Sequence, residues 1–208
     1  MQYLRDPKAI YQQSFASIRQ EADLSRFALD EQDVVIRLIH ACGMVDIVDE
    51  LEFSSGAVGA GKSALKNGAP IICDVNMVAK GVITRQLANN NQVVCGLDLP
   101  EAKSFAKEHS HTRTAGGIAA LENKISGAII AIGNAPTALF HLLEMIENGG
   151  PKPALVLGFP VGFVGAAESK TFLIANNNDI AFIALKGRRG GSAFAAAAVN
   201  ALVSGLDT

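Results

Sequence analysis

Arg37 and His40 have the clearest potential for chemistry in this sequence. They interrupt the apolar run of "RLIHACGMVD" (37–46) and lie three positions apart, so on a helix they project from the same face. Histidine can take up or release a proton near neutral pH, and arginine can bind a carboxylate through two hydrogen bonds. These residue types would suit proton transfer beside a bound anion, although their spacing alone does not establish it. Two alternatives remain open: His40 as a core histidine, and Arg37 paired with Asp33.

A second stretch, "GAVGAGKS" (56–63), matches the phosphate-loop pattern G-x-x-x-x-G-K-[ST]. The context argues against nucleotide binding through Lys62 and Ser63. "DELEFSS" precedes the motif where a buried strand is needed, and "NGAP" (67–70) stops the following helix early. We expect a flexible glycine-rich loop that leads into a short helix.

The remaining metal and thiol candidates are weak. His109 and His111 alternate in "HSH" without a nearby carboxylate or thiol, so a surface loop is expected rather than a metal site. The cysteines, Cys42, Cys73 and Cys95, each lie in an apolar run and are predicted to be buried free thiols.

Composition excludes several classes of protein. The 208 residues are 49% hydrophobic and 18% charged, which suits one domain with a large core. A net charge of −2 supplies no broad basic face, so a nucleic-acid partner is not expected. No apolar run reaches the roughly 18 residues that span a bilayer. The N-terminus lacks an apolar signal core, so a cytoplasmic location is expected.

Short apolar runs alternate with helical segments along most of the chain. Two helices, starting near Asp6 and Asp30, precede this pattern. Strands are predicted at 70–75, 92–97, 127–133, 154–159 and 180–187, and helices at 76–88, 100–122 with a break near Thr112, 135–148, 162–176 and 192–204. The pattern predicts a single α/β domain over 1–208, with a mostly parallel central sheet of about five strands and helices on both faces.

In such a fold, ligands bind at the carboxyl ends of the strands. The loops "GNAPT" (133–137), "FPVGFVGAAES" (159–169) and "KGRRGGS" (186–192) follow three of the predicted strands and are rich in glycine. Glycine lets the backbone approach a ligand closely, and helix N-termini in such loops suit anions. We therefore expect these loops to line the ligand site.

Four stretches together resemble the precorrin-8X methylmutase family, also called cobalt-precorrin-8 methylmutase. They are "RLIHACGMVD", "GNAPTALFHLLE", "PVGFVGAAESK" and "GRRGGSAFAAAAVNAL"; "DVNMVAKGVI" and "HTRTAGGI" also fit. The similarity covers nearly the whole chain in order. It implies an isomerase that moves a methyl group from carbon 11 to carbon 12 of a tetrapyrrole, giving hydrogenobyrinate or cobyrinate, without a cofactor.

The resemblance also assigns roles to individual residues. It implies that His40 is catalytic and that Ser14, Arg37 and Arg113 contact the substrate. The glycine-rich loops would line the pocket, and they supply the further candidates Gly133, Asn134, Thr137, Glu168 and Ser169. Family members are homodimers with the ligand near the subunit interface. We expect the interface near the alanine-rich last helix (192–204) or the sheet edge.

Two other functions remain open from the sequence. The same pocket would serve a protein that binds a corrinoid without converting it, and His40 is the residue that separates this alternative from an isomerase. A nucleotide-dependent enzyme using Lys62 and Ser63 is the third possibility.

Overall fold

The computed structural model describes residues 1, 3–175 and 179–206. Within these ranges, six strands form one sheet in the order β1-β6-β5-β4-β2-β3. The strands are β1 (Leu51–Phe53), β2 (Ile71–Cys73), β3 (Val93–Cys95), β4 (Ile129–Ile132), β5 (Leu155–Gly158) and β6 (Phe182–Leu185). All neighbouring pairs are parallel except β1 with β6. The predicted α/β class and mostly parallel sheet are confirmed.

The sixth strand was not predicted. β1 is a three-residue edge strand in which Leu51 pairs with Leu185 and Phe53 with Ile183. Its sequence, "LEF", is too short to show a strand pattern by itself. It is antiparallel because the chain reaches this edge from the end of the sheet where β6 finishes.

The helices are α1 (Pro7–Glu21), α2 (Leu29–Cys42), α3 (Ala57–Lys66), α4 (Asn76–Gly81), α5 (Pro100–Glu108), α6 (Arg113–Ala120), α7 (Pro136–Glu147), α8 (Ala166–Ala175) and α9 (Ser192–Ser204). Short 3₁₀ segments cover Val45–Asp49, Thr84–Gln86 and Glu122–Lys124. Among the described residues, no helix combines the length and the apolar character needed to cross a membrane.

Local signals placed most helix ends correctly. Asp6 caps α1, with its Oδ2 accepting from the backbone N–H of Ala9 at 3.0 Å. The expected break at Thr112 is confirmed, because Thr112 caps α6 through Ala115 N–H. α4 ends earlier than the predicted 76–88, since Val82 is already extended. α8 begins later than the predicted 162, after two glycines with positive φ, and residue 176 lies outside the described residues.

The sheet separates two apolar layers. Alternate strand residues such as Ile71 and Ile129 face α1, α2, α3, α4 and α9, whereas Ile72 and Ile130 face α6, α7 and α8. Strands covered on both sides are expected to be apolar at almost every position, as these are. Helices on both faces are therefore confirmed.

α9 is buried inside its own chain. Its residues pack against α2, α3, α4 and the strands β4 and β5, and nine of them are buried. The chain itself covers most of the alanine-rich surface of this helix, and the expected subunit interface near residues 192–204 stays a prediction. Small side chains are needed there because α2 and α4 approach it closely: a Cβ placed on Gly81 would lie 2.7 Å from that of Ala196.

Candidate active site

His40 lies in the last turn of α2, where α1 packs against that helix. The Oγ atom of Ser14 is 2.8 Å from Nδ1 of His40. The imidazole also packs against Tyr11 and Phe15, whose ring centroids are 5.2 and 5.3 Å away. These contacts fix the ring, and no hydrogen bond from the described part of the chain reaches its Nε2. One ring nitrogen is held by Ser14, and the other is available to a ligand.

The surroundings of His40 favour the neutral imidazole. Partial burial, and then the positive charge of Arg37 one helical turn away, lower the pKa of His40 below its ordinary value. At neutral pH the ring is therefore uncharged and able to accept a proton.

The imidazole opens into an apolar groove of about 460 Å³ between α1 and the end of α2. The polar side chains in its wall are Gln13, Ser14, Ser17, Glu21 and His40. The apolar lining comes from Leu4, Ile10, Ile18, Ile39 and Val45. An apolar pocket with a few placed polar groups suits a largely apolar organic ligand.

Arg37 is held differently from His40, although both lie on α2. The guanidinium group is largely buried. Its Nε donates to the carbonyl of Gly205, and its Nη2 lies 3.4 Å from the hydroxyl of Ser204. Arg37 lines a second groove, of about 390 Å³, on the other side of α1. Asp33, its alternative partner from the sequence, lies 3.4 Å from Arg19.

The loops after β4, β5 and β6 meet at the carboxyl edge of the sheet, as expected. The backbone N–H of Val161 donates to Asn134, that of Gly162 to Arg188, and that of Gly191 to Phe159. An ion pair of 2.7 Å between Arg189 and Asp46 joins this edge to the segment that follows α2. The end of α2 that carries His40 is therefore tied to the same edge.

Asp74 organises this edge and was missed as a site residue. It follows β2, is almost fully buried, and accepts the backbone N–H groups of Gly133, Asn134 and Ala135 at 2.8–3.0 Å. Burial raises its pKa, and these donors act in the opposite direction. The signal in the sequence was an acidic residue directly after a fully apolar strand. An acidic residue is rarely buried unless it has partners.

Arg113 lies at the start of α6, on the face of the sheet opposite to α2. Its Nη2 donates to Leu97 O at 3.1 Å and to Asp98 Oδ1 at 2.8 Å. The other oxygen of Asp98 accepts from Asn76 at 2.8 Å. The structure therefore does not bring Arg113 and His40 together within one chain.

The loop candidates differ in what they present. Asn134 and Glu168 are exposed, and the hydroxyl of Thr137 lies 2.8 Å from that of Thr112. Ser169 is fully buried and its hydroxyl donates to Ala166 O within α8. Gly133 is buried, and a Cβ there would lie 2.8 Å from the Cα of Ser192. Ser169 and Gly133 shape the loops but present no side chain to a ligand.

An exposed apolar surface borders these loops. Phe163 and Val164 are 84% and 89% exposed. Phe163 lies beside a hollow of about 370 Å³ that Met44, Arg188 and Phe194 also line. The guanidinium of Arg188 lies 5.3 Å from the centre of the Phe163 ring.

Arg189 is occupied by acids of its own chain. Its guanidinium pairs with Asp46 at 2.7 Å and with Glu50 at 3.1 Å. The buried Lys170 donates to the carbonyl oxygen of Arg189 at 2.6 Å. Burial lowers the pKa of Lys170 to about 8, with Glu50 opposing the shift. These contacts hold the backbone of the loop after β6.

The segment that matches the phosphate-loop pattern does not form a loop. Residues 57–63, seven of the eight positions in "GAVGAGKS", lie inside α3, so the expectation of a glycine-rich loop was wrong. The N–H groups of residues 61–63 are used within the helix, and a helical backbone cannot wrap around a phosphate. Although β1 precedes the motif, it is an antiparallel edge strand. The arrangement lacks the geometry of a nucleotide site.

The histidines of "HSH" pack rather than ligate. His109 stacks on Phe105 with ring centroids 4.3 Å apart, and His111 lies 5.6 Å from the ring of His141 in α7. Across residues 1, 3–175 and 179–206, no group of three or more potential ligands has the geometry for a metal ion.

We expect acid to destabilise the fold through His141. Its Nε2 is buried without a hydrogen-bond partner among the described residues. Burial, and then His111, lower the pKa of His141, with Glu144 opposing. The unfolded chain therefore takes up this proton first. The contribution of His141 is complete above about pH 6.5 and is lost as the pH falls through the lowered pKa.

Urea unfolding between pH 8 and pH 5 measures this effect. His141→Leu should lose less stability on acidification than the unmodified protein, whereas the exposed control His109→Gln should follow it. Equal pH dependence in all three proteins would contradict the assignment to His141.

Comparisons with known proteins agree with this architecture. The family model described as precorrin-8X methylmutase matches residues 9–205. The precorrin-8X methylmutase of Pseudomonas aeruginosa is 53% identical over 202 residues, covering 97% of both chains. The cobalt-precorrin-8 methylmutase of Leptospira interrogans is 37% identical over 201 residues, covering 93% of this chain and 91% of that protein.

A solved structure extends the agreement to three dimensions. The precorrin-8X methylmutase of Thermus thermophilus superposes with a TM-score of 0.87 at 40% identity and covers 94% of each chain. The match of the family model over nearly the whole sequence, together with these relatives, shows that the chain belongs to the precorrin-8X methylmutase family.

Proposed function

We propose that the protein is an isomerase of cobalamin biosynthesis that moves a methyl group from carbon 11 to carbon 12 of precorrin-8X, giving hydrogenobyrinate. The observation that carries this proposal is the oriented pair of Ser14 and His40, 2.8 Å apart, at the wall of an apolar groove. Membership of the family supports the reaction class. An isomerisation conserves all atoms, so no co-substrate is consumed.

His40 acts as the proton-transfer group. Its lowered pKa favours the neutral imidazole before reaction, and in the tautomer whose Nδ1–H donates to Ser14 Oγ the Nε2 atom can accept a proton. Because substrate and product are isomers, that proton must return to the macrocycle within the same turnover. Ser14 holds Nδ1 and so keeps Nε2 directed towards the ligand.

The carboxylates of the substrate require several further contacts. We assign Ser14, Arg37 and Arg113 to them, with Asn134, Thr137 and Glu168 at the rim and Gly133 and Ser169 shaping the loops. The hydrogen bond from Arg113 to Asp98 orients the guanidinium group before the ligand binds. Charge-assisted hydrogen bonds of this kind contribute about 1.5–3 kcal/mol each.

We further propose that the protein forms a homodimer. Arg113 and His40 are carried by helices on opposite faces of the sheet, which favours a ligand that contacts them from two different subunits. The exposed Phe163 and Val164 provide apolar surface for a subunit contact at the edge of the sheet.

Multi-angle light scattering tests the assembly. We expect about twice the monomer mass of 21.7 kDa at micromolar concentration. Phe163→Ser with Val164→Ser should shift the population towards the monomer, since it removes apolar contact area. The matched control Leu29→Ser, at another exposed apolar position, should leave the dimer intact. A monomeric unmodified protein would contradict the proposal.

The more similar relative carries the metal-free name, so we propose cobalt-free precorrin-8X as the substrate. The precorrin-8X methylmutase is 53% identical, and the cobalt-precorrin-8 methylmutase 37% identical, to this chain. Single-turnover conversion followed by visible absorbance should be faster with metal-free than with cobalt-containing substrate. Faster conversion of the cobalt-containing substrate would reverse the assignment. If the protein bound both substrates and converted neither, it would be a corrinoid-binding protein rather than an isomerase.

We place the reaction in the cytoplasm. Cys73 and Cys95 are in register on neighbouring strands, yet both remain free thiols, as does Cys42. Unpaired cysteines are typical of a reducing compartment. A nucleic-acid partner is not part of the proposal, in keeping with the net charge of −2.

A further inference from the structure

The groove beside Arg37 collects positive charge from three separate elements. Lys8 comes from the first turn of α1, Arg37 from the middle of α2, and Arg85 from the 3₁₀ segment Thr84–Gln86. The groove has a volume of about 390 Å³, enough for a carboxylate side chain with its hydrating water. Three positive charges around one concavity favour an anionic group.

One negative charge also lines this groove, beside the three positive ones. Asp6 is the acidic residue among those lining it, and its carboxylate caps α1 by accepting from Ala9 N–H. Lys8 and Arg85 are exposed, and neither forms an ion pair within the described ranges. Arg37 is fixed by the carbonyl of Gly205 and supplies charge from the floor of the groove.

Tyr11 connects this groove to His40. Its side chain lines the groove of Lys8 and Arg85, and its ring lies 5.2 Å from the imidazole on the other side. A ligand that extends past Tyr11 would contact both Arg85 and His40. A polycarboxylate attached to a rigid ring system has the required shape.

We propose that Lys8 and Arg85, together with Arg37, form a subsite for one peripheral carboxylate of the tetrapyrrole. This inference rests on the proposed function and adds two residues to it. Occupation of the subsite also has an electrostatic consequence. The positive charge of Arg37 lowers the pKa of His40. A bound carboxylate offsets that charge, so the imidazole becomes more basic once the substrate is bound.

Absorbance titration with hydrogenobyrinate tests the subsite. Arg85→Gln should weaken binding by about five- to thirtyfold, as expected for 1–2 kcal/mol, and Lys8→Gln by a smaller factor because its side chain is flexible. Arg85→Lys should restore most of the affinity, since it restores the charge. The control Lys107→Gln removes an exposed charge from α5, on the other side of the sheet, and should change nothing.

Two further readouts distinguish a subsite for a substrate carboxylate from a site for free small anions. The salt dependence of binding should be weaker in Arg85→Gln, because one anion contact is lost. Sodium acetate at constant ionic strength should not displace hydrogenobyrinate; displacement at millimolar acetate would show a site for free small anions and overturn the inference.

The outcomes are distinct. If the unmodified protein binds hydrogenobyrinate while Arg85→Gln and Lys8→Gln bind it within twofold as well, the subsite is wrong and the proposed function stands. If the unmodified protein binds no corrinoid and converts none, both are overturned.

Discussion

His40→Ala should lose conversion by at least about 10²–10⁴-fold, the usual contribution of general acid–base catalysis. The apolar groove would remain, since its walls come from α1 and α2 and from other side chains. The affinity for hydrogenobyrinate should change by about tenfold at most, because one lost hydrogen bond is worth about 0.5–1.5 kcal/mol. Single-turnover absorbance and product titration measure the two quantities separately.

Two comparisons make this experiment decisive. Ser14→Ala removes the group that orients the imidazole but keeps the base, so it should lose less activity than His40→Ala. The kcat/KM of the unmodified protein, which reports the free enzyme, should fall on acidification only below the ordinary imidazole range, since the pKa of His40 is lowered. Near-normal conversion by His40→Ala would show that His40 does not transfer a proton. Catalysis would then depend on the shape and electrostatics of the pocket.

Among the substitutions considered, Asp74→Ala should cause the largest loss in the free energy of unfolding. It would leave the backbone N–H groups of Gly133, Asn134 and Ala135 without an acceptor at the end of β4. Each unsatisfied buried group costs about 1–3 kcal/mol, so a total of at least about 3 kcal/mol is expected. Such a loss is a large fraction of the stability of an ordinary domain, about 5–15 kcal/mol.

Urea unfolding with matched variants measures this effect. Asp74→Asn keeps one acceptor oxygen and should lose less than Asp74→Ala. Asp98→Ala is the control, because Asp98 also follows a strand but is exposed, so it should cost under about 1 kcal/mol. A similar small loss for Asp74→Ala and Asp98→Ala would show that water replaces the carboxylate of Asp74.

The fold was predictable because its signals are local and repeated. Apolar runs such as "GAIIAIG" mark strands covered on both sides, and Asp6 and Thr112 mark the starts of helices. β1 escaped prediction because three residues carry no periodicity and its pairing with β6 joins segments more than 120 residues apart. Pairings of this range depend on the tertiary fold rather than on nearby residues.

The site was predictable in its residues but not in their arrangement. The spacing of Arg37 and His40 placed them on one helix face, yet the position of α1 assigns them to two grooves. The role of Asp74 and the placement of Arg113 across the sheet depend on which loops meet at the carboxyl edge. Contacts between distant segments decide both, and spacing along the chain contains no such information.

The position of α9 has a consequence for how the chain folds during synthesis. This last helix fills the layer formed by α2, α3 and α4, all of which leave the ribosome much earlier. Until α9 emerges, the apolar residues of those helices that face it have nothing to cover them. The native state therefore cannot form progressively from the N-terminus. Nascent chains are exposed to aggregation until translation ends, and a stop codon before residue 192 should yield insoluble protein.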